Sequence, residues 1–246
     1  AIPKVHPVMD YASRKVQNPP QDKIQITWIG HATVLVQIEG LNILADPVSY
    51  TRFRPPACEA KDLPPIDVVI ISHNHHDHLD SQSVWDIAEL YPDAKWLVRS
   101  GNAKFCKMHG CKDVKEMKWW EPTTVGACTF VCAMVWMGCE KPKYKYYFSG
   151  DSGYQDELFK LIGQKYGPFD LALIPIVQCE AFFCGYITKF VSMNPEEAVK
   201  VHLDIPSCVS IGINRGTFEL TNEVYLTVCS IVISGAGFIS IEFKLI

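Results

Sequence analysis

The stretch Val68–His78 reads VVIISHNHHDH and joins a short apolar run directly to a cluster of histidine and aspartate. The run Val68–Ser72 is continuously apolar up to its last residue, which predicts a strand that is buried on both faces. Four of the eight histidines in the chain lie within the next six residues. Neutral imidazoles together with a carboxylate are ligands that zinc prefers. The stretch therefore predicts a metal site at the end of a buried strand.

The spacing within this cluster divides its side chains between two metal positions. A tight loop after a strand can direct His73 and His75 to one ion, and Asp77 and His78 to a second. His76 interrupts this spacing and is the least expected ligand of the group. The alternative interpretation is a solvated polar loop, but such loops rarely gather this set of ligands directly after a buried strand.

Two other acidic residues follow predicted strands. Asp151 lies within Phe148–Gly153, where the flanking glycines allow close approach of the backbone and an acid can bridge two cations. Asp46 precedes Pro47 at the end of another strand. Each acid has an equally weighted alternative as an ordinary turn residue, because aspartate is common in turns. The residues alone leave both interpretations open.

Apolar runs and helical patterns alternate along the rest of the chain. The predicted strands are Ile24–Ile29, Thr33–Ile38, Asn42–Ala45, Val68–Ser72, Trp96–Val98, Cys128–Trp136, Tyr144–Phe148, Leu171–Ile174 and Cys208–Ile213. The predicted helices are Ser83–Leu90, Asn102–His109, Asp156–Lys165 and Pro195–His202. Strands first and strand–helix alternation afterwards predict an α/β fold, with two sheets flanked by helices in one domain.

The composition narrows the classes of function. With 48% apolar and 20% charged residues among 246, the chain is of the globular type and wholesale disorder is excluded. Its net charge of −4 lacks the basic field of nucleic-acid binding, so no nucleic-acid partner is expected. The ten cysteines contain no C-x-x-C pair, which excludes a zinc ribbon. We expect a reduced, intracellular chain with buried thiols.

The two ends of the chain differ from its middle. Ala1–Asp22 is polar and contains prolines, so we expect an irregular leader that lies on the domain, and neither a signal peptide nor a membrane span. Val224–Ile241 has eighteen residues without a charge, which is at the lower limit for a membrane span. Serines and glycines interrupt it and β-branched residues favour strands, so a hairpin that turns at Ser234–Gly237 is the preferred prediction.

Further motifs extend along most of the chain. They are Trp28–Thr33 (WIGHAT), Leu63–Asp67 (LPPID), Ile71–Asp80, Trp119–Glu121 (WWE), Gly150–Tyr154 (GDSGY), Tyr166–Ala172 (YGPFDLA), Pro195–Val199 (PEEAV) and Gly216–Phe218 (GTF). In this order, over about Ile24–Glu223, the sequence resembles the N-acyl-phosphatidylethanolamine-hydrolysing phospholipase D family of the metallo-β-lactamase superfamily. A run of this length is far more specific than the histidine cluster alone.

The resemblance implies the αββα sandwich of the metallo-β-lactamase fold, with two mixed sheets flanked by helices. The domain would span residues 23–223, preceded by the leader 1–22 and followed by an atypical apolar tail, 224–246. The family binds two zinc ions per chain. Carried over by position, His73 and His75 would hold one ion, Asp77 and His78 the other, and Asp151 would bridge them. Asp46 would orient one of the ligands from behind.

The implied activity is hydrolysis of N-acyl phosphatidylethanolamine to N-acylethanolamine and phosphatidic acid. Two metals acidify a shared water, and the resulting metal-bound hydroxide would attack the phosphodiester. A membrane phospholipid substrate implies an intracellular protein, peripheral on membranes that face the cytosol, and the family implies a homodimer. The aromatic stretch 181–186 (AFFCGY) either meets acyl chains or belongs to an ordinary core or dimer contact.

Several positions depart from the family's pattern. Val135 and Asn214 stand where the family has histidine ligands, and Ser192 replaces a histidine near the substrate. His202 matches no ligand position, so we expect a surface or packing residue. The site would then hold one zinc, or two that are weakly bound. The alternative to an active enzyme is a catalytically impaired pseudoenzyme of the same fold that binds lipid or a partner. A divergent paralogue and mis-joined exons are both open as explanations.

Overall fold

The computed structural model describes residues 23–49, 56, 58–132, 136–137, 144–176, 193–214, 231–234 and 237–240. The chain divides into two compact units, the first ending at Glu121 and the second beginning at Pro122. Among the described residues, each unit contains one sheet.

The first unit is built on a six-stranded sheet whose spatial order follows the chain. Its strands are β1 (Gln25–Gly30), β2 (Thr33–Ile38), β3 (Leu41–Ala45), β4 (Val68–Ile71), β5 (Lys95–Arg99) and β6 (Asp113–Met117). The pairs β1–β2 and β2–β3 are antiparallel, whereas β3 to β6 run parallel. Because the carboxyl ends of parallel strands share one edge, the residues after β3 and β4 are neighbours.

Helices cover one side of this sheet. Helix α1 (Ser81–Leu90) begins after Asp80, whose side chain accepts a hydrogen bond from the Ser83 amide, and helix α2 (Ala103–Met108) follows β5. A 3-10 turn at Ala60–Asp62 precedes β4. Val84 and Ile87 of α1 belong to the same buried cluster as strand residues such as Val69 and Trp96. Each such buried aliphatic side chain contributes about 1.5–3 kcal/mol, which fixes the position of β4.

The second unit contains an eight-stranded sheet in the spatial order β14-β13-β12-β11-β10-β9-β8-β7. Its strands are β7 (Pro122–Val125), β8 (Cys128–Cys132), β9 (Trp136–Met137), β10 (Tyr146–Phe148), β11 (Phe169–Pro175), β12 (Ser207–Ile213), β13 (Ile231–Ser234) and β14 (Gly237–Ser240). The strands β10, β11 and β12 are parallel and the remaining pairs are antiparallel.

Two helices of the second unit connect its parallel strands. Helix α3 is Asp156–Tyr166 and helix α4 is Pro195–Asp204. The proline occupies the first helical position of α4, and Asn194 forms a capping box with Glu197. Gly163 of α3 lies so close to the end of α4 that a Cβ atom there would clash with the carbonyl oxygen of Asp204.

The predicted α/β class, with two mixed sheets and helices, is confirmed. The three-stranded meander, β4 and the four predicted helices lie within two residues of their predicted bounds. A continuous strand over Cys128–Trp136 is wrong, because β8 and β9 pair with each other in antiparallel fashion. The sequence also missed β6 and β7, whose residues are all exposed or half-exposed except Met117 and show no apolar run.

The structure also bears on the tail and the cysteines. The hairpin at Ser234–Gly237 is confirmed by the antiparallel pairing of β13 and β14. Among the described residues, no helix is both long and apolar enough to cross a bilayer. Five of the described cysteines are outside disulfides, but the expectation of a fully reduced chain is wrong at Cys128, which is disulfide-bonded. Exposed Cys208 likewise departs from the expected burial.

The domain boundaries 23–223 and 224–246 stay predictions, and the leader 1–22 lies outside the described residues.

Candidate metal centre

The loop after β4 folds back on itself immediately beyond the strand. The amides of His78 and Leu79 both donate to the carbonyl oxygen of His75, at 3.0 and 2.9 Å. This tight turn returns the chain toward the strand end, so that the rings of His73 and His78 lie 4.2 Å apart between centroids. The structure therefore brings together the cluster that the sequence predicted within the first unit.

His73 and His75 form one pair of imidazoles. The Nε2 atom of His73 lies 2.9 Å from Nδ1 of His75, and the other nitrogen of His73 lies 2.9 Å from Oγ of Ser72. His73 is half-buried, while His75 and His76 are exposed. Each ring of the pair therefore presents one nitrogen to the other, and Ser72 fixes the orientation of His73.

Asp46 lies beneath the cluster with no solvent exposure. Its carboxylate accepts hydrogen bonds from the amide of Ser72 at 2.7 Å and from the Ser72 hydroxyl at 2.5 Å, and it contacts Nδ1 of His78 at 2.7 Å. The parallel pairing of β3 with β4 produces this contact, since both strands end at the same edge. Asp46 has a left-handed φ of 39° and thus does occupy a turn, but its side chain is directed at the cluster.

Asp77 and His78 form a second pair that is buried more deeply. The Oδ2 atom of Asp77 lies 3.6 Å from Nε2 of His78. Because Nδ1 of His78 contacts the Asp46 carboxylate, the ring carries its proton there and directs the Nε2 lone pair toward Asp77. This is the tautomer that a metal-binding histidine requires.

His31 is a member of this group that the sequence did not identify. It lies in the turn between β1 and β2 with a left-handed φ of 53°, and its ring is buried. The Nε2 atom of His31 lies 3.0 Å from Oδ2 of Asp77. The motif WIGHAT contains this histidine, but a single histidine at a turn 46 residues before Asp77 gave no local signal of the contact.

The environment of Asp77 favours its ionised form. Burial by itself raises the pKa of this carboxyl group, but the hydrogen bond with His31 and the charges of His78 and His31 lower it. The net effect holds the pKa of Asp77 well below its usual value. The carboxylate is therefore ionised at neutral pH, and this is the form that binds metals.

The geometry of the first unit fits a divalent metal. Ligand atoms of His31, Asp77 and His78 all lie within 4.8 Å of one another, as do those of Asp46, His73 and His78. In a tetrahedral zinc site with bonds of about 2.0–2.2 Å, neighbouring ligand atoms are about 3.3–3.6 Å apart. The separations in the cluster are 2.9 Å for the two imidazole nitrogens of His73 and His75, and 3.0 and 3.6 Å from Oδ2 of Asp77 to the two other histidines. All three lie within about half an ångström of that range.

Asp151 and Asn214 lie together in the second unit. Asp151 follows β10 and Asn214 directly follows β12, and these parallel strands end at the same edge of their sheet. The Nδ2 atom of Asn214 donates a hydrogen bond to Oδ1 of Asp151. The Oδ1 atom of Asn214 is buried and accepts no hydrogen bond. The role of Asp151 as a bridging ligand stays a prediction, and Asn214 acts here as a donor to that carboxylate.

The remaining histidine of interest is a packing residue. His202 of α4 is buried, and its Nδ1 lies 2.8 Å from the hydroxyl of Ser210 on β12. Burial lowers the pKa of His202 below its usual value, which favours the neutral ring. The packing interpretation is confirmed. Val135, Ser192 and the aromatic stretch 181–186 lie outside the described residues.

A family model described as the beta-lactamase superfamily domain matches residues 41–213 of the chain. The match includes Asp46, the loop 73–78 and Asp151, and it begins after His31 and ends just before Asn214.

Two curated proteins with related sequences carry names that state an activity. The chain is 37% identical to N-acyl-phosphatidylethanolamine-hydrolyzing phospholipase D 1 of Caenorhabditis elegans, over 81% of this chain and 66% of that protein. It is 27% identical to the mitochondrial N-acyl-phosphatidylethanolamine-hydrolyzing phospholipase D of Saccharomyces cerevisiae, over 81% of this chain and 49% of that protein. The chain thus spans about two thirds of the one relative and half of the other.

Solved structures share the fold. A metallo hydrolase from the archaeon Ignicoccus hospitalis superposes with a TM-score of 0.64 over 78% of this chain and 83% of its own. The sequence identity is 19%, so this likeness concerns the fold alone.

Proposed function

The chain belongs to the metallo-β-lactamase superfamily of metal-dependent hydrolases, and from this premise we propose that it is a zinc-dependent phosphodiesterase. Its proposed substrate is N-acyl phosphatidylethanolamine, and the products are N-acylethanolamine and phosphatidic acid. The names of the C. elegans and S. cerevisiae relatives support this choice of substrate.

The observation that carries the proposal is the preorganised cluster after β4. His78 is fixed by Asp46, and His73 is fixed by Ser72, so both rings direct their Nε2 atoms toward neighbouring ligand atoms. Hydrogen bonds of this kind to the far nitrogen of a histidine set its tautomer and raise its strength as a ligand. A cluster of polar groups held for solubility alone would not need a buried carboxylate beneath it.

Each residue of the cluster has a defined task in the proposed reaction. His73 and His75 would hold one zinc, Asp77 and His78 the second, and Asp151 would bridge them. When bound, the metals polarise the phosphoryl oxygens and acidify a water molecule. Asp46 holds a proton of His78 at Nδ1, so that the Nε2 atom of that ring would face the metal. The site then requires no serine or cysteine nucleophile from the chain.

The substrate defines the proposed surroundings of the protein. N-acyl phosphatidylethanolamine is a membrane phospholipid, so the chain would act while peripheral on membranes that face the cytosol. We include the homodimer of the family in the proposal, and size-exclusion chromatography with light scattering tests it directly. A mass that corresponds to one chain at micromolar concentration would contradict the dimer.

A second candidate function is a pseudoenzyme that binds lipid or a partner without turnover. The contact between Asn214 and Asp151 favours it, because an amide that donates to a bridging carboxylate supplies no imidazole to the second zinc. An amide oxygen is also a poorer zinc ligand than imidazole. The two candidates share the fold and differ in whether product is formed.

The deciding experiment incubates the zinc-loaded chain with vesicles that contain N-acyl phosphatidylethanolamine. Mass spectrometry should detect N-acylethanolamine and phosphatidic acid in equal amounts, with product formation stopped by a chelator and restored by zinc. Asp77→Asn should abolish turnover, whereas His109→Gln should preserve it, because His109 caps the end of α2 and contacts the carbonyl oxygen of Phe105 there. Zinc-loaded chain that sediments with the vesicles but forms no product would overturn the phosphodiesterase and support the pseudoenzyme.

A further inference from the structure

The zinc position at Asp77 and His78 lacks a histidine ligand that is present in the family that the sequence resembles. Asn214 stands where that histidine is expected, and its Nδ2 is engaged with Asp151 in the second unit. Open catalytic zinc sites commonly have three protein ligands, among them sets of two histidines and one carboxylate. We propose that His31 is the third ligand that the first unit supplies at this position, so that His31, Asp77 and His78 form a metal site within that unit. The inference deepens the proposed function and rests on it.

The distances among these three side chains carry the proposal. Oδ2 of Asp77 lies 3.0 Å from Nε2 of His31 and 3.6 Å from Nε2 of His78. Neighbouring ligand atoms in a tetrahedral zinc site are about 3.3–3.6 Å apart. The first separation is about 0.3 Å shorter than this range, and the second lies at its upper end. The rings of His31 and His78 stand edge to face with 5.2 Å between their centroids. Both nitrogens therefore converge on the same carboxylate oxygen from different directions.

Burial distinguishes this group from an ordinary polar surface cluster. The exposed fractions of His31, Asp77 and His78 are 1%, 5% and 0%. The turn between β1 and β2 holds His31, and the loop after β4 holds Asp77 and His78. Asp46 fixes the orientation of the His78 ring. Three buried ligands with a fixed tautomer at one ring are the preorganisation that a tight site needs.

The substitution His31→Gln separates a ligand from a residue that only orients Asp77. The glutamine side chain can still donate a hydrogen bond to the Asp77 carboxylate, but its amide is a weak zinc ligand. Native chain and variant are compared by zinc titration with a competing chromophoric chelator, and by the visible absorption of the cobalt-loaded protein, which reports coordination. His109→Gln is the matched control because it makes the same exchange away from the cluster.

We expect His31→Gln to weaken one zinc-binding step at least 100-fold and to alter the cobalt spectrum, with His109→Gln unchanged in both. Native affinity and an unaltered cobalt spectrum in His31→Gln would overturn the inference and leave His31 as an orienting residue. Neither readout depends on turnover. Failure of the inference therefore leaves the proposed phosphodiesterase standing. Absence of product with the expected metal binding would instead overturn the phosphodiesterase and leave the assignment of His31 intact.

A measurement on the native chain covers the case in which His31→Gln does not fold. X-ray absorption at the zinc edge reports the average number of imidazole ligands per zinc without any substitution. In a chain loaded with two zinc ions, the imidazoles of His31, His73, His75 and His78 should give an average of two per zinc. An average of one and a half would overturn the assignment of His31.

Discussion

Nδ1 of His78 lies 2.7 Å from Oδ2 of Asp46, and both side chains are completely shielded from solvent. The pair joins the end of β3 to the loop after β4 and leaves Nε2 of His78 as the nitrogen that faces Asp77. A carboxylate behind a histidine ligand fixes the ring and strengthens it as a ligand. The contact therefore links the packing of two strands to the chemistry of the candidate site.

Replacing Asp46 with asparagine tests this link. The amide cannot accept from the Ser72 amide, the Ser72 hydroxyl and His78 as a carboxylate does, so one contact must be lost. We expect zinc affinity to fall about 10–100-fold. Competition with a chromophoric chelator measures the change. Asp93→Asn, at an exposed position, is the control, and equal zinc affinities in the two variants would contradict the role given to Asp46.

The Ser72 hydroxyl should affect the two metal positions unequally. It donates to Asp46 and lies 2.9 Å from Nδ1 of His73, so Ser72→Ala removes the group that orients His73. We expect binding at the His73 and His75 position to weaken about 10-fold, with a smaller effect at Asp77 and His78. Stepwise calorimetric titration with zinc separates the two events. A loss at the Asp77 and His78 position as large as that at His73 and His75, or larger, would contradict this expectation and show that Ser72 acts through Asp46.

The sequence predicted the part of the site whose ligands are adjacent in the chain, and missed a ligand that the fold brings in from a distant position. The loop 73–78 was identified because its ligands are adjacent in the chain and follow a continuous apolar strand. His31 was missed because its contact with Asp77 spans 46 residues and arises from the order of β1 to β4, which no local pattern encodes. The charge pattern of β6 likewise hid a strand, since an edge strand needs no apolar run.

His202 makes the stability of the second unit depend on pH. Burial holds the pKa of His202 below its usual value of about 6.5, so the unfolded chain binds a proton more readily than the folded one. The stabilisation is complete above pH 6.5 and is lost as the pH falls through the lower pKa of the folded state. Urea unfolding between pH 7.5 and 5 should show a smaller loss in His202→Asn than in the native chain. Parallel curves would contradict this expectation.

Gly163 tests the packing of α3 against the end of α4. A Cβ atom at this position would clash with the Asp204 carbonyl oxygen and lie 2.9 Å from Cδ of Pro206, and neither of these neighbours is a flexible side chain. Gly163→Ala should therefore lower the free energy of unfolding by about 1–3 kcal/mol, although alanine is the better helix former. Gln164→Ala, exposed on the same helix, is the control. Chemical denaturation should leave it close to native, and a stabilised Gly163→Ala would contradict the close approach.

Asn214 decides between the enzyme and the pseudoenzyme most directly. Asn214→His removes the amide donor to Asp151 and offers an imidazole at the carboxyl end of β12, where the resemblance places a ligand. If the native chain is limited by a weak second zinc, the variant should bind that zinc at least 10-fold more tightly and increase turnover on N-acyl phosphatidylethanolamine vesicles. Asn214→Ala removes the same donor without adding an imidazole and is the matched control. Tighter zinc binding in both variants would show that the amide restrains Asp151, whereas tighter binding in Asn214→His alone would identify position 214 as a vacant ligand position. No change in either variant would contradict a metal-site role for Asn214.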